Sequence, residues 1–292
     1  MSDSDVQPAA PRKSRAGRNL PMAIAVGLGL FAYVVLTLTW WPPGFIVLLV
    51  VLTSLGAYEV HEALKRVGMT SALLPVVFGN VVIIGGSYIA AVFQETTRLP
   101  WHVVLLGTIG GTVLLALIWR MFGGAEGYAR DSAASLFIIG YIPLLASFVA
   151  LILAQQHGVA KVVAVFLCIT GSDTGGYAAG ATLGRHPMAP LISPKKTWEG
   201  MAGSVVLAST VSVLMTVFVM HQPWWFGVLL AVVVVITGTA GDLIESLIKR
   251  DVGIKDMSSF LPGHGGVMDR LDSTLVAAPA AWLVFTLSGV TW

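Results

Sequence analysis

Apolar residues in this chain fall in long runs, separated by short polar stretches that carry most of the charge. The runs are too long for membrane β-strands and lack their strict alternation. A helix needs about 20 mostly apolar residues to cross the hydrocarbon core of a bilayer. Nine stretches meet that need, at about 22–39, 44–60, 72–93, 101–119, 134–153, 161–181, 201–220, 224–248 and 274–291. The pattern predicts an all-α polytopic membrane bundle of about nine transmembrane helices. Gly and Pro recur within the runs, which membrane helices tolerate. Residues 1–20 are polar with several prolines and read as a disordered tail. Residues 21–292 read as one transmembrane domain.

The charges between the runs give the expected orientation. With the N-terminus in the cytoplasm, 15 of the 17 Lys and Arg fall on the cytoplasmic side, and only Arg98 and Lys161 on the other. Cytoplasmic loops of membrane proteins carry such an excess. The N-terminus is therefore expected inside and the C-terminus outside, in a cell membrane of bacterial inner-membrane type. Arg12, Lys13, Arg15 and Arg18 precede the first run as they would in a signal peptide. No small-residue cleavage site follows; Trp40, Trp41, Pro42 and Pro43 do, so the run reads as a retained span. The two long connections, about 182–200 and 249–273, both belong to the cytoplasmic side.

Composition agrees with this class. The chain is 56% hydrophobic and 11% charged, against about a quarter charged in soluble domains. That excludes a soluble enzyme, a disordered protein and a nucleic-acid-binding domain. A net charge of +2 is too small to imply a polyanion partner by itself, and no nucleic acid is expected. The single cysteine, Cys168, lies in an apolar run, so no intrachain disulfide can form.

The candidate chemistry sits where the bilayer should reject it. Asp173 lies in TGSDTGG within the sixth run, and Asp242 and Glu245 in GTAGDLIES within the eighth. An aspartate at a helix centre costs about 2.5–3.5 kcal/mol to insert, so several imply a polar cavity with compensating charge. A structural ion pair would explain one such acid more readily than two. Asp242, Glu245, Ser246, Lys249 and Arg250 follow steps of three and four and share one broad helical face. Headgroup anchoring explains Lys249 and Arg250 but not Asp242. The last cytoplasmic connection, KRDVGIKDMSSFLPGHGGVMDRLDS, holds Lys255, Asp256, Gly263, Gly265 and Gly266, then Asp269, Arg270 and Asp272 just before the ninth run. Consecutive amides in a Gly-rich turn can form an anion nest, although a plain turn uses glycine equally well. His264 could donate to phosphate, act in acid–base chemistry or pack the loop. In the other long connection, SPKKTWEG brings Lys195, Lys196 and Thr197 to the start of the seventh helix, where amides and ammonium groups suit a polyphosphate. Ordinary positive-inside charge explains those lysines as well. Carboxylates without thiolates suit Mg2+ or Mn2+. No GxxxxGK[ST] is present, so a P-loop is excluded. Together these features point to phosphoryl or nucleotidyl transfer to a membrane lipid.

Three segments carry a resemblance. SDTGGY at 172–177, which begins with Ser172, SPKKTWEG at 193–200, and the stretch from Ser246 to Asp272 with LPGHGG at 261–266 resemble motifs of the phosphatidate cytidylyltransferase (CDP-diacylglycerol synthase) family. The first 130 residues carry no matching motif. The resemblance implies the reaction of CTP with phosphatidic acid to give CDP-diacylglycerol and pyrophosphate. It implies a divalent cation with a possible second metal ion, an active site within the membrane domain built from about 161–273, and a homodimer. By position, Asp242 and Asp269 would be the principal metal ligands and Asp173 a third carboxylate. Ser172, Lys195, Lys196, Thr197, Ser246, Lys255, Asp256, Gly263, Gly265, Gly266 and Asp272 would bind substrate, and Lys249, Arg250, His264 and Arg270 would join the two aspartates in catalysis. A phosphate monoester is largely ionised at pH 7, its second pKa being about 6, so no strong general base is required of His264. A CTP-dependent lipid kinase would instead leave CDP and need a base. An ion-coupled transporter would show inverted repeats, and none is visible.

Overall fold

The computed structural model describes residues 20–258, 260 and 265–288. The expected tail at 1–20 therefore lies, but for Leu20, outside the described residues. So do Gly263 and His264.

Helices occupy all nine expected positions. They are α1 (Leu20–Trp40), α2 (Pro42–Lys65), α3 (Leu73–Val92), α5 (Trp101–Met121), the pair α6 (Tyr128–Tyr141) and α7 (Pro143–Ala154), α8 (Gly158–Leu183), α9 (Trp198–Leu214), α10 (Trp224–Asp251) and α11 (Met268–Leu287). A single turn, α4 (Gln94–Thr97), joins α3 to α5, and a π-helical turn at Met215–Val219 extends α9. Seven of these segments, taking α6 and α7 together, are long and apolar enough to span a bilayer. Helices are the expected solution in lipid, because each backbone N–H and C=O finds its partner within its own segment. The fifth span is broken at Pro143, whose ring cannot continue the preceding hydrogen-bond ladder.

Two details depart from the expected elements. Residues 187–197 form an antiparallel hairpin, β1 (Pro187–Ala189) with β2 (Ser193–Thr197). Lys195 and Lys196 thus lie on a strand, and only Thr197 caps the helix that follows. The last helix begins at Met268, so Asp269, Arg270 and Asp272 occupy its first turns rather than the loop before it.

Small residues set the closest helix contacts. α8 packs on α9 through Gly171, Gly175 and Gly176 facing Gly203, Ser204 and Ala208. A side chain at Gly176 would bring its Cβ to 2.6 Å from the Ser204 hydroxyl, and one at Gly203 would strike Ala179. Small residues let membrane helices approach closely where no hydrophobic drive separates protein from lipid. The glycines of TGSDTGG therefore serve packing, and the Ser204 hydroxyl closes the seam by donating to the Ser172 carbonyl at 2.7 Å. Elsewhere Asn80 on α3 donates to Thr53 and Ser54 of α2, both at 2.9 Å. The tightly buried core runs through Val60, Ile83, Ile84, Ile138, Ala150, Phe226, Leu230 and Ala278.

Polar ties gather the basic connections at one end of the bundle. Asp131 accepts from the Thr70 amide and from Arg120, both at 2.9 Å, which joins the connections after α2 and α5. Glu59 near the end of α2 holds the segment before α11. At the opposite end Gln155 donates to Thr286 at 3.4 Å. Lys161, which the charge count assigned to that opposite side, is buried in α8 with its ammonium 3.0 Å from Gln155.

Candidate active site

A cavity of about 340 Å3 opens between α8, the hairpin, α9 and α10. Asp173 reaches it from α8 because Gly175 and Gly176 let that helix lie against α9. Lys195 and Lys196 reach it from β2, and Asp242 from the polar face of α10. Ser172, Thr197, Ser204 and Ser273 add hydroxyl-bearing side chains to its wall. Lys196 Nζ lies 2.7 Å from Asp242 Oδ2, and the two side chains keep 24% and 39% of their exposure. The pair is therefore open enough to meet a ligand. Ser246 contacts the other Asp242 oxygen at 3.3 Å, which leaves that oxygen weakly engaged. Asp173 lies within electrostatic reach of Asp242, Lys196 and Arg270.

The hairpin owes its placement to Glu199. One of its oxygens accepts from the Arg185 and His186 amides at 3.1 and 3.2 Å, and the other meets the His186 ring at 2.5 Å. Thr197 accepts the Gly200 amide at 3.1 Å as the N-cap of α9. The hairpin that carries the lysines is thereby tied at both its ends to α9.

A second cluster forms where α10 meets α11. Lys249 Nζ lies 2.5 Å from Glu245 and 2.8 Å from Asp269 Oδ1. Asp269 Oδ2 accepts the amides of Gly266 at 2.9 Å and Met257 at 3.1 Å. The Gly266 amide is thus directed at a carboxylate of the protein itself. Gly265 adopts a φ of +86°, the left-handed region in which glycine carries no steric penalty. Asp272 is buried, and its carboxylate accepts the Ser273 amide. Arg250, Lys255 and Asp256 are exposed at and beyond the end of α10.

The structure thus brings Ser172, Asp173, Lys195, Lys196, Thr197 and Asp242 to one cavity, with Ser246 against Asp242. Lys249, Asp269 and Gly266 form the adjoining cluster. Glu59 and Ser273 are polar groups of these sites that the sequence motifs did not single out. Glu59 had a usable signal, since it is an unexplained acid inside the expected second span, as Asp173 and Asp242 are in theirs.

Among the described residues no group of three or more His, Cys, Asp or Glu side chains is placed to hold a metal on its own. The donors present still fit one kind of ion. Mg2+ is commonly bound by one or two carboxylates with substrate phosphates completing its shell. Asp173 and Asp242, in a cavity whose wall also bears several hydroxyl groups, supply the carboxylates, and Asp269 Oδ1 keeps a lone pair beside its bond to Lys249.

Comparison with known proteins places the chain in a family. The model of the cytidylyltransferase family matches residues 21–288. The chain is 39% identical to a phosphatidate cytidylyltransferase of Mycobacterium leprae, covering 94% of this chain and 89% of that one. It is 40% identical to the protein of the same name from Mycobacterium tuberculosis, over 96% of this chain and 87% of that one. A Staphylococcus epidermidis phosphatidate cytidylyltransferase is 36% identical over 51% of this chain and 57% of its own. With a family match across nearly its whole length, a cavity of lysines and carboxylates and a helical membrane architecture, this chain belongs to the cytidylyltransferase family.

Proposed function

We propose that this protein transfers CMP from CTP to phosphatidate, forming CDP-diacylglycerol and pyrophosphate at the cytoplasmic end of its membrane bundle. The observation that carries the reading is the cavity in which Lys195 and Lys196 face Asp173 and Asp242. Two anionic substrates must meet there, and fixed ammonium groups lower their mutual repulsion. A phosphate oxygen of phosphatidate attacks the α-phosphorus of CTP. The bond from that phosphorus to the bridging oxygen breaks, and pyrophosphate leaves with the electron pair. No proton need be removed from a nucleophile that is already ionised.

Lys195 and Lys196 bind phosphate oxygens of CTP, and Lys196 exchanges part of its bond to Asp242 for them. Lys249 holds Asp269 in place. Arg270, at the start of α11, presents a guanidinium suited to a phosphate. Bound Mg2+ or Mn2+, with or without a second ion, would offset charge on the transferring phosphates. Asp242, Asp269 and Asp173 are the residues that would hold it. The working unit in the membrane is a homodimer. Purified protein given CTP, phosphatidate and Mg2+ is expected to release pyrophosphate and CDP-diacylglycerol in equal amounts, and chelation with EDTA is expected to stop both. CDP as the released nucleotide would contradict the reading and favour a lipid kinase.

A further inference from the structure

Glu59 is 4% exposed near the end of α2, far in sequence from the three motifs. Its Oε1 accepts from the Ser258 hydroxyl at 2.5 Å and the Val267 amide at 2.9 Å. Its Oε2 accepts the Met268 amide at 2.8 Å. Val267 and Met268 are the cap and first residue of α11, and Val267 provides no side-chain cap of its own. A helix start leaves four amides without partners. Here a carboxylate from another helix takes two of them, and the positive end of the helix dipole favours its charge. Among the described residues no Lys, Arg or His lies within ion-pair distance of Glu59. Its task is therefore to hold backbone.

The same carboxylate faces the Asp269 cluster across one glycine. A Cβ at Gly266 would lie 2.8 Å from Asp269 Oδ2 and 2.9 Å from Glu59 Oε2. Met257 and Gly266 are thus held by Asp269, and Ser258, Val267 and Met268 by Glu59. Without Glu59, two buried amides and a hydroxyl lose the acceptor that α2 supplies.

We propose that Glu59 is a positioning residue for the transfer reaction. It fixes the start of α11 against α2 and so sets where Asp269 and Arg270 stand. The inference rests on the reaction proposed above. Glu59→Gln keeps the shape but turns one acceptor oxygen into a donor that confronts an N–H.

The test uses the full chain in detergent with Mg2+. In Glu59→Gln, kcat is expected to fall by about 10- to 100-fold, the range that small misplacements produce. KM for CTP should stay within about twofold, because the lysine hairpin is anchored elsewhere. Deuterium uptake by the amides of 265–270 should rise. Ser258→Ala, which removes one bond of three, should give a smaller loss of kcat and guards against a Glu59→Gln protein that fails to fold. Asn80→Ala breaks a different polar tie of α2 and should lower thermal stability while sparing kcat. Wild-type kcat in folded Glu59→Gln would overturn the proposal. So would unchanged uptake at 265–270, or an equal kcat loss in Asn80→Ala at matched thermal stability. A wild-type protein that makes no CDP-diacylglycerol would instead overturn the reaction reading, and Glu59's part in it, whatever the exchange shows.

Discussion

Lys249 stands between two carboxylates, with Glu245 almost wholly buried and Asp269 largely so. Removing the ammonium leaves a buried negative charge without its partner, a change that costs about 3–5 kcal/mol. Lys249→Ala is therefore expected to unfold at clearly lower temperature than wild type in detergent, which a thermal melt would show. Lys196 is different, because its pair with Asp242 stays partly open. Lys196→Ala and Lys195→Ala should leave thermal stability close to wild type and weaken CTP use, seen as a loss of kcat/KM for CTP. Wild-type CTP kinetics in both variants would reduce the hairpin lysines to a topology signal. Asp269→Asn is expected to abolish most turnover in a folded protein. Its combination with Asp242→Asn should cost little more than either change alone, since groups that act as a unit are not additive.

At the scale of elements, the α8–α9 seam decides whether Asp173 and the hairpin face each other. Gly203 meets α8 so closely that any side chain there would strike Ala179. Gly203→Val is expected to destabilise the protein by about 1–3 kcal/mol, the usual cost of overpacking, and to lower activity as the cavity wall shifts. A melt and a turnover assay on the same preparation check both. The helical bundle was legible because length and hydropathy alone mark a segment that must satisfy its backbone within a bilayer, and seven of the described segments meet that measure. The hairpin at 187–197 was not legible. Its three- and five-residue strands carry no periodicity to separate them from a loop. The early start of α11 was missed for a related reason. Asp269, Arg270 and Asp272 break the apolar pattern, yet their backbone continues the helix because Glu59 supplies the cap from α2. A partner so distant in sequence leaves no local mark.

At the scale of the whole molecule, the connections after α2, α5, α8 and α10, taken with the helix ends that flank them, carry 11 of the 17 Lys and Arg, and polar ties join several of them at one end. Reporter fusions after Leu20 and after Trp292 are expected on opposite sides of the membrane, the first in the cytoplasm; same-side signals would contradict an odd number of spans. The motif residues mark the lysine–carboxylate cavity well, because acids inside apolar runs are conspicuous. How that cavity is braced was hidden, since Glu59 lies outside the motifs, and the bonds that Ser258 and Glu199 make to distant groups leave no mark in the motifs that contain them. The most direct measurement follows label from CTP into lipid in wild type and in folded Asp242→Asn side by side. Wild type is expected to carry the α-phosphate of CTP into the lipid and release the γ-phosphate in pyrophosphate, with transfer nearly absent in Asp242→Asn. Label from the γ-phosphate in the lipid, or undiminished α-transfer by Asp242→Asn, would contradict nucleotidyl transfer at this cavity.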